Sequence, residues 1–560
     1  MKPSFNHQSS TVFKPREPGT NHRKISITGL RILVVCLLTL AIVFRFSGLD
    51  RKIYWHDETF TSMRVSGYTE AEMVQEVSAS ELTTVEALQT YQQIKPESTV
   101  VDTVKSLVVE DPQHPPLYYT LASLWARGLD TSIATIRSLS ALISLLVFLC
   151  AYWLCLELFG SARVAWVAMA VFAVAPIHLV YAQEARQYAL FTVTVLASSA
   201  ALLRAMRQQT LTSWVIYAIA IATSFYTFLL SALVAIGHGI YVLALEKLQF
   251  TKITRSYLLA SLAAVLSFTP WIVVLAVQRD QADRVTGWTR NAITFTGLIR
   301  EWVVNFSRIF IDWNYQSEVS TTSKIAFYTF VLFLIAVVGY AFYFLWRNTS
   351  SRIWLFVFTL TGVTALTLAI PDLLTGGHRS TVNRYLIPSY IGIELAVAYL
   401  LASQLSQVAN QRWKQRVWYA VSLVLMTGGL FSCFVGSQAN SWWIQAYNQG
   451  NLAIAPIIQQ ADRPLVVSDA QAADLLSLSY HLDADVPVIA RPQCYTCTEN
   501  KEWQHIPFLP DVPDGFTDVV LFSPRSSPEW TEQLNAQNQR DVEVIVADQT
   551  FGTWAWRVNN

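Results

Sequence analysis

Long apolar stretches recur along the chain and are separated by short polar segments. About 20 consecutive apolar residues are enough to cross a bilayer as a helix. The pattern predicts a polytopic α-helical membrane protein with about eleven spans, at residues 30–46, 133–158, 164–180, 189–205, 214–230, 232–245, 258–277, 326–345, 353–370, 386–401 and 417–435. A further apolar segment, 117–129, is too short to cross and is predicted to form a re-entrant or surface helix.

The overall composition agrees with this class of protein. Of the 560 residues, 53% are hydrophobic and only 14% are charged, which is too apolar for a soluble chain of this length. The net charge of +1 and the absence of basic blocks or zinc-finger spacing give no indication of nucleic-acid binding.

The distribution of lysine and arginine predicts the orientation in the membrane. Five basic residues lie before the first span, so residues 1–29 are predicted to be a disordered cytoplasmic tail. The protein is predicted to lie in the plasma (inner) membrane. Alternation of the spans then places these segments on its outer side: 47–132, 183–187, 278–324, 371–384 and everything after 436. The spans and the first outer loop, 47–132, make up a transmembrane domain, 30–436.

Residues 437–560 predict an extracytoplasmic α/β domain. The predicted strands are 465–468, 486–490, 518–522 and 542–547, and the predicted helices are 470–480 and 529–538. No glycine-rich phosphate loop follows the first strand, so nucleotide binding is not indicated. Cys494 and Cys497 are predicted to form a local disulfide, because this domain faces an oxidising compartment.

Four polar clusters fall on the predicted outer side, close to the ends of spans. They contain Asp57-Glu58; His114 before a double proline; Glu184, Arg186 and Tyr188; and His378-Arg379 with Arg384-Tyr385. Each cluster alone is more often a solvated turn than a functional one. Together they place acids and cations at one membrane surface, which is what displacement at a phosphate-linked carbon requires.

Three of these motifs, in this order, resemble those of the GT-C membrane glycosyltransferases. They are Trp55-His56-Asp57-Glu58, the string HPPLYY at 114–119 and the string QEARQYAL at 183–190. The resemblance is to bacterial members of the protein O-mannosyltransferase, aminoarabinose transferase and rhizobial lipopolysaccharide galacturonosyltransferase group. It is good from about residue 30 to residue 203 and weak from there to the end of the spans.

The resemblance implies an inverting glycosyltransferase. Such an enzyme would move a sugar from a polyprenyl-phosphate donor to an acceptor hydroxyl of a glycan, lipid or protein at the outer face. Asp57 matches the catalytic base and Glu58 the second acid of the pair. The resemblance places Arg186 at the lipid phosphate and Glu184 in the wall of that site. It matches Arg384-Tyr385 to a late Arg-Tyr near the donor, and it leaves His114 either at the donor phosphate or as a residue that shapes its loop. Tyr188, His378 and Arg379, from the same polar clusters, are further substrate-binding candidates. Some family members use a divalent metal near these acids, and the spacing of residues here leaves that open.

Two other classes of function remain as alternatives. A transporter or flippase for a lipid-linked solute would place charges near the bilayer midplane and show repeated halves. The sequence shows no internal repeat, and only Glu394 and His238 are predicted to lie deep within spans. A structural or sensing protein would not need acids both in the first outer loop and in the turn that contains Glu184.

Overall fold

The computed structural model describes residues 27–314, 320–406, 412–497, 515–523, 542–548 and 553–558. Most of the predicted tail, 1–26, and the predicted helix 529–538 lie outside these residues.

The described chain is mainly helical. The helices of its first half are α1 (Ile27–Phe46), α2 (His56–Ser66), α3 (Glu70–Ala79), α4 (Val85–Gln89), α5 (Val100–Glu110), α6 (Leu117–Gly128), α7 (Ile133–Phe159), α8 (Ala162–Val174), α9 (Pro176–Ala182), α10 (Tyr188–Gln208), α11 (Leu211–Thr227) and α12 (Ser231–Leu245). Those of its second half are α13 (Lys252–Val277), α14 (Arg279–Thr286), α15 (Phe295–Ser307), α16 (Thr321–Asn348), α17 (Ser351–Thr375), α18 (Ile387–Ser406), α19 (Arg412–Gln438), α20 (Asn451–Gln459) and α21 (Ala472–Ser479).

Seven of the described helices are long and apolar enough to cross a membrane: α1, α7, α10, α13, α16, α17 and α19. The pair α8 and α9, which is bent by 62°, passes the same test only when taken together, as a broken span or a re-entrant loop, and would bring the number to eight if it crosses as one span. All eleven predicted spans fall on helices, but α11 and α12 are shorter, and α18 has most of its side chains buried among its neighbours. A break at 228–230 separates α11 from α12, at the boundary that the sequence predicts between the spans 214–230 and 232–245.

The break between α8 and α9 determines where the site lies. Ala175 is extended, and Pro176 begins α9 at the first helical position, where its missing N–H costs nothing. A proline there cannot donate into α8, so the helix ends and the chain changes direction. The redirected α9 then leads into the polar turn 183–187.

A six-stranded sheet lies at the end of the bundle that the sequence predicts to face outside. Its strands are β1 (Thr83–Thr84), β2 (Pro464–Ser468), β3 (Pro487–Ala490), β4 (Asp518–Ser523), β5 (Val542–Asp548) and β6 (Thr553–Val558), in the order β1-β3-β2-β4-β6-β5. The three central strands are parallel, and α21 forms the crossover from β2 to β3. The four predicted strands are therefore present, while the sequence did not predict β1 or β6.

The first outer loop joins this sheet rather than lying apart from it. Strand β1 belongs to that loop and pairs antiparallel with β3. Met63 of α2 and Met73 of α3 are buried in the same apolar cluster as Val466 of β2 and Leu475 of α21. The α/β segment therefore packs directly against α2, which carries the acidic pair.

Candidate active site

Both acids of the pair lie in the first turn of α2. The helix begins at His56, after an extended Trp55, so Asp57 and Glu58 are close to its positive N-terminal end. It ends at Gly67, whose φ of 92° is left-handed. A Cβ at Gly67 would also approach Ser98 to 2.9 Å, so glycine is required on both grounds.

Glu58 is completely buried, and both of its carboxylate oxygens are bonded. Arg137 of α7 donates to Oε1 at 2.8 Å and to Oε2 at 2.5 Å. The backbone N–H of Ala185 donates to Oε1 at 2.7 Å. Arg137 also donates to the carbonyls that precede α2, those of Leu49, Lys52 and Ile53. The pair therefore fastens α2, α7 and the turn 183–187 together.

Asp57 lies between two guanidinium groups that come from distant parts of the chain. Its Oδ2 is 3.8 Å from Nη2 of Arg186 and 3.4 Å from Nη1 of Arg384, while His56 lies 3.2 Å from Oδ1. Burial alone would raise the pKa of the Asp57 carboxyl, but the charges of Arg186 and Arg384 outweigh it and hold that pKa well below its usual value. Asp57 is therefore ionised at neutral pH, and among the described residues Oδ2 has no hydrogen-bond partner.

Arg186 is held by contacts to α2 and to His114. It donates from Nη1 to the carbonyl of Asp57 at 3.1 Å and from Nη2 to Nε2 of His114 at 3.1 Å. Burial, reinforced by the charge of Arg186, lowers the pKa of His114 to about 3, so its imidazole is neutral. Pro115 and Pro116 fix the chain between His114 and α6.

Aromatic rings fix the position of Arg384. Its guanidinium carbon lies 5.5 Å from the ring centre of Tyr188, 5.7 Å from that of Trp288 and 5.9 Å from that of Tyr385. Arg186 also lies 5.9 Å from the ring centre of Tyr188, so this ring faces both cations.

Glu184 is a buried acid whose two oxygens have no hydrogen-bond partner within the described part of the chain. Burial, and then the negative charge of Glu58, raises the pKa of Glu184 to about 8. The group is therefore mostly protonated at neutral pH. Its environment also includes the charges of Arg384, Asp57 and Arg186.

His378 and Arg379 are not brought into contact with Asp57. Arg379 donates to Asp372 of α17 at 2.9 Å, and His378 contacts the carbonyl of Asn291 at 3.1 Å. The link to the site is Trp288, whose ring lies 5.5 Å from that of His378 and also faces Arg384. Of the ten candidate residues, these two are therefore connected to Asp57 only indirectly, since the described contacts lead from His378 through Trp288 to Arg384.

Three further residues belong to this network and were missed from the sequence. They are Arg137, Trp288 and Lys52. Burial, and then the charge of Arg137, lowers the pKa of Lys52 to about 7, and its Nζ donates to Gln183 at 2.6 Å. A signal existed for Arg137, because a lone arginine within an apolar span must have a partner. No local pattern distinguishes Trp288 or Lys52 from the other outer-side residues of their types.

The described residues do not provide an evident metal site. No group of three histidine, cysteine, aspartate or glutamate side chains among them is arranged to hold a metal ion. Glu58, the second acid of the pair, already has both oxygens bonded by Arg137 and Ala185. The arrangement therefore suits an anion beside Arg186 and Arg384 better than a cation beside Asp57 and Glu58.

Comparisons with known proteins bear on the expected resemblance to the GT-C membrane glycosyltransferases. The sequence profile of the dolichyl-phosphate-mannose-protein mannosyltransferase family matches residues 113–274. That region contains His114, Glu184, Arg186 and Tyr188. No curated protein sequence matches the chain.

One solved structure shares the fold over most of the chain, and two others show a weaker similarity. ArnT from Cupriavidus metallidurans bound to undecaprenyl phosphate is 14% identical, with 95% of this chain and 98% of that chain covered and a TM-score of 0.52. ArnT in the apo state is 16% identical over the same shares, with a TM-score of 0.48. The archaeal oligosaccharyltransferase AglB from Archaeoglobus fulgidus, in complex with an inhibitory peptide and a dolichol-phosphate, is 12% identical, with 88% and 69% covered and a TM-score of 0.47. The expected resemblance is confirmed: the chain is a polytopic helical membrane protein with the fold of the GT-C superfamily.

Proposed function

We propose that this protein is an inverting glycosyltransferase that uses a polyprenyl-phosphate sugar at the outer face of the membrane. The observation that carries the proposal is the position of Asp57, an ionised carboxylate with an unbonded oxygen between Arg186 and Arg384. Two cations beside one base suit a reaction in which a phosphate departs and a hydroxyl loses its proton. The solved ArnT that shares this fold is bound to undecaprenyl phosphate, which supports the donor class.

The chemistry is a single displacement. The acceptor hydroxyl oxygen forms a bond to the anomeric carbon, the bond from that carbon to the phosphate oxygen breaks, and the hydroxyl proton passes to Asp57. The electron pair leaves with the polyprenyl phosphate, whose charge Arg186 and Arg384 stabilise. One displacement inverts the anomeric carbon. A retaining double displacement needs a second carboxylate as nucleophile, and Glu58 is held by Arg137 and Ala185.

The low pKa of Asp57 is compatible with its role as a base, because the cations that depress it are also the proposed phosphate ligands. A donor phosphate between Arg186 and Arg384 would offset their positive charge. The pKa of Asp57 would then rise toward its ordinary value and its affinity for the hydroxyl proton would increase. Proton removal would thereby be coupled to occupation of the donor site.

The neutral groups beside the cations favour the same ligand. Glu184, with a pKa of about 8, is mostly protonated at neutral pH and adds little repulsion to an arriving phosphate. His114 is neutral and directs Arg186 through the contact at Nε2. We propose positioning roles for Glu58 and Arg137 and contacts to the donor phosphate for Arg186 and Arg384.

The test is Asp57→Asn, with Asp50→Asn at an exposed position before α2 as the matched control. Purified protein is added to membranes from cells that lack it, and the glycosylated products are measured by mass spectrometry. Asp57→Asn should lower transfer about a hundred- to ten-thousandfold. Binding of undecaprenyl phosphate should be retained or tighter, because a negative charge between the arginines is removed.

Full transfer by Asp57→Asn would reject the base assignment. Unchanged surface glycans in cells that lack the protein, combined with no binding of undecaprenyl phosphate, would reject the glycosyltransferase itself. Loss of uptake or export of a lipid-linked solute in those cells would then favour the transporter.

A further inference from the structure

Arg308, just after α15, is a buried cation that has no carboxylate within ion-pair distance among the described residues. Its residue surface is 8% exposed, and its Nη1 donates to Oδ1 of Asn305 at 2.8 Å. Its guanidinium lies 4.0 Å from the ring centre of Trp443. Nε of Arg308 is buried and has no hydrogen-bond partner among the residues that the structure describes. An unbonded donor on a buried cation is costly, and this is a reason to look for an anionic ligand.

The acids near Arg308 are already engaged by other groups. The charges of Asp312 and Glu301 act on it. Oδ2 of Asp312 accepts from the indole nitrogens of both Trp442 and Trp443 at 2.7 Å. Glu301 pairs with Arg300 at 3.1 Å. Neither acid neutralises Arg308 directly.

Contacts on one side connect Arg308 to the segment that carries Arg384. Oδ1 of Asn305, which accepts from Arg308, also accepts from Nδ2 of Asn383 at 2.7 Å. Asn383 directly precedes Arg384, which lies 3.4 Å from Asp57. Asn305 also donates to the carbonyl of Thr381 at 2.6 Å, so this connection is made by several bonds.

Contacts on the other side lead to the opposite oxygen of Asp57. Trp443 begins a short 3-10 helix, Trp443–Asn448, whose Tyr447 ring lies 4.6 Å from the ring of His56. Asn448 accepts from the backbone N–H of His56 at 2.9 Å. His56 approaches Oδ1 of Asp57, whereas Arg186 and Arg384 approach Oδ2. Asp57 thus has one side that faces the two arginines of the proposed sugar-donor site. Its second side is formed by His56 and the 3-10 helix Trp443–Asn448.

We propose that Arg308, Trp443 and Tyr447 form an acceptor subsite that binds an anionic group, a phosphate or a carboxylate, carried by the acceptor near its reacting hydroxyl. The inference rests on the proposed function and adds the chemical class of the acceptor. Arg308 supplies the charge, and the aromatic residues supply a surface for the adjoining sugar or glycerol carbons. Because His56 and the helix Trp443–Asn448 approach Oδ1, this subsite directs the acceptor hydroxyl to the side of Asp57 away from the donor arginines.

The test compares Arg308→Gln and Arg308→Lys with Arg300→Gln, an exposed arginine of the neighbouring α15. Each purified variant is added to membranes from cells that lack the protein, and the product is measured as the concentration of acceptor membrane is varied. Binding of undecaprenyl phosphate and thermal unfolding are measured in parallel. Losing a charged hydrogen bond should raise the half-saturating acceptor concentration of Arg308→Gln roughly ten- to a hundredfold. Arg308→Lys should lose less, Arg300→Gln should match wild type, and the binding of undecaprenyl phosphate should be unchanged.

Pretreatment of the acceptor membranes separates the two anion sources. Alkaline phosphatase removes phosphate monoesters, and carbodiimide with ethanolamine amidates carboxylates. Whichever treatment makes wild type resemble Arg308→Gln identifies the anion. The proposal is overturned if Arg308→Gln has wild-type acceptor dependence, if neither treatment affects wild type, or if Arg308→Gln loses undecaprenyl-phosphate binding or unfolds early. Failure of wild type to bind undecaprenyl phosphate would instead count against the proposed function.

Discussion

Replacement of Glu58 by alanine should destabilise the protein rather than act on the chemistry alone. The change leaves Arg137, which is 1% exposed, as a buried cation without its acid. Breaking one side of a buried ion pair costs about 3–5 kcal/mol. The N–H of Ala185 also loses its acceptor, which adds about 1–3 kcal/mol. The sum is a large part of the stability of an ordinary folded domain, so we expect Glu58→Ala to unfold well below the wild-type temperature.

Graded variants make this reasoning testable. Glu58→Gln keeps one oxygen for Arg137 or Ala185 and should lose less stability than Glu58→Ala. The double variant Glu58→Leu with Arg137→Met removes both charges and should recover part of the loss. Recovery should be incomplete, because Arg137 also bonds three backbone carbonyls.

Thermal unfolding of the detergent-purified protein, followed by size-exclusion chromatography, is the measurement. Glu81→Gln, at an exposed acid of the same outer loop, is the control and should behave as wild type. A Glu58→Ala protein that unfolds at the wild-type temperature but transfers no sugar would refute the structural role. It would make Glu58 a participant in the reaction.

Three further outcomes are expected. Arg186→Ala should weaken undecaprenyl-phosphate binding roughly ten- to a hundredfold in a direct binding assay, and unchanged affinity would remove Arg186 from the phosphate site. Because the pKa of Glu184 is raised from 4.5 to about 8, its neutral form is favoured by folding. The stability that Glu184 contributes is therefore lost as the pH rises from 4.5 to about 8, by up to about 1.4 kcal/mol per pH unit. Donor affinity should fall above a pH of about 8, where Glu184 becomes ionised. Glu184→Gln should abolish both pH dependences. For orientation, a cysteine at exposed Glu81 should react with an impermeant maleimide from outside while one at exposed Gln208 should not, and the reverse labelling would invert the predicted topology.

Hydropathy could predict the helices and the boundary between α11 and α12, but not the bend within the predicted span 164–180. The eleven predicted spans all coincide with helices, since apolar length is a local property. The bend at Pro176 depends on which backbone groups find partners in neighbouring helices. The strands β2 to β5 were predicted because they are β-branched runs. Strand β1 was not, because its Thr83 and Thr84 become a strand only when β3 is beside them.

Most members of the candidate site could be predicted from the sequence, but its arrangement only partly. The resemblance identified Asp57, Arg186 and Arg384, and the structure brings them together. It matched Asp57 to the base and Glu58 to the second acid but left the role of Glu58 open, because adjacent residues in a sequence carry no information about which one meets Arg137 across the bundle. Arg137 is 79 residues from Glu58, and such distant pairing is visible only after folding.

The proposed acid–base chemistry depends on the different pKa values of the Asp57 and Glu184 carboxyl groups. Two carboxyl groups in one small region would both repel a phosphate if both were ionised. Here the arginines lower the pKa of Asp57, while burial and Glu58 raise that of Glu184 to about 8. Separated pKa values would let Asp57 serve as the proposed base while Glu184 remains protonated. Glu58 contributes to this separation from outside the reaction, since its charge raises the pKa of Glu184 while Arg137 holds it in place.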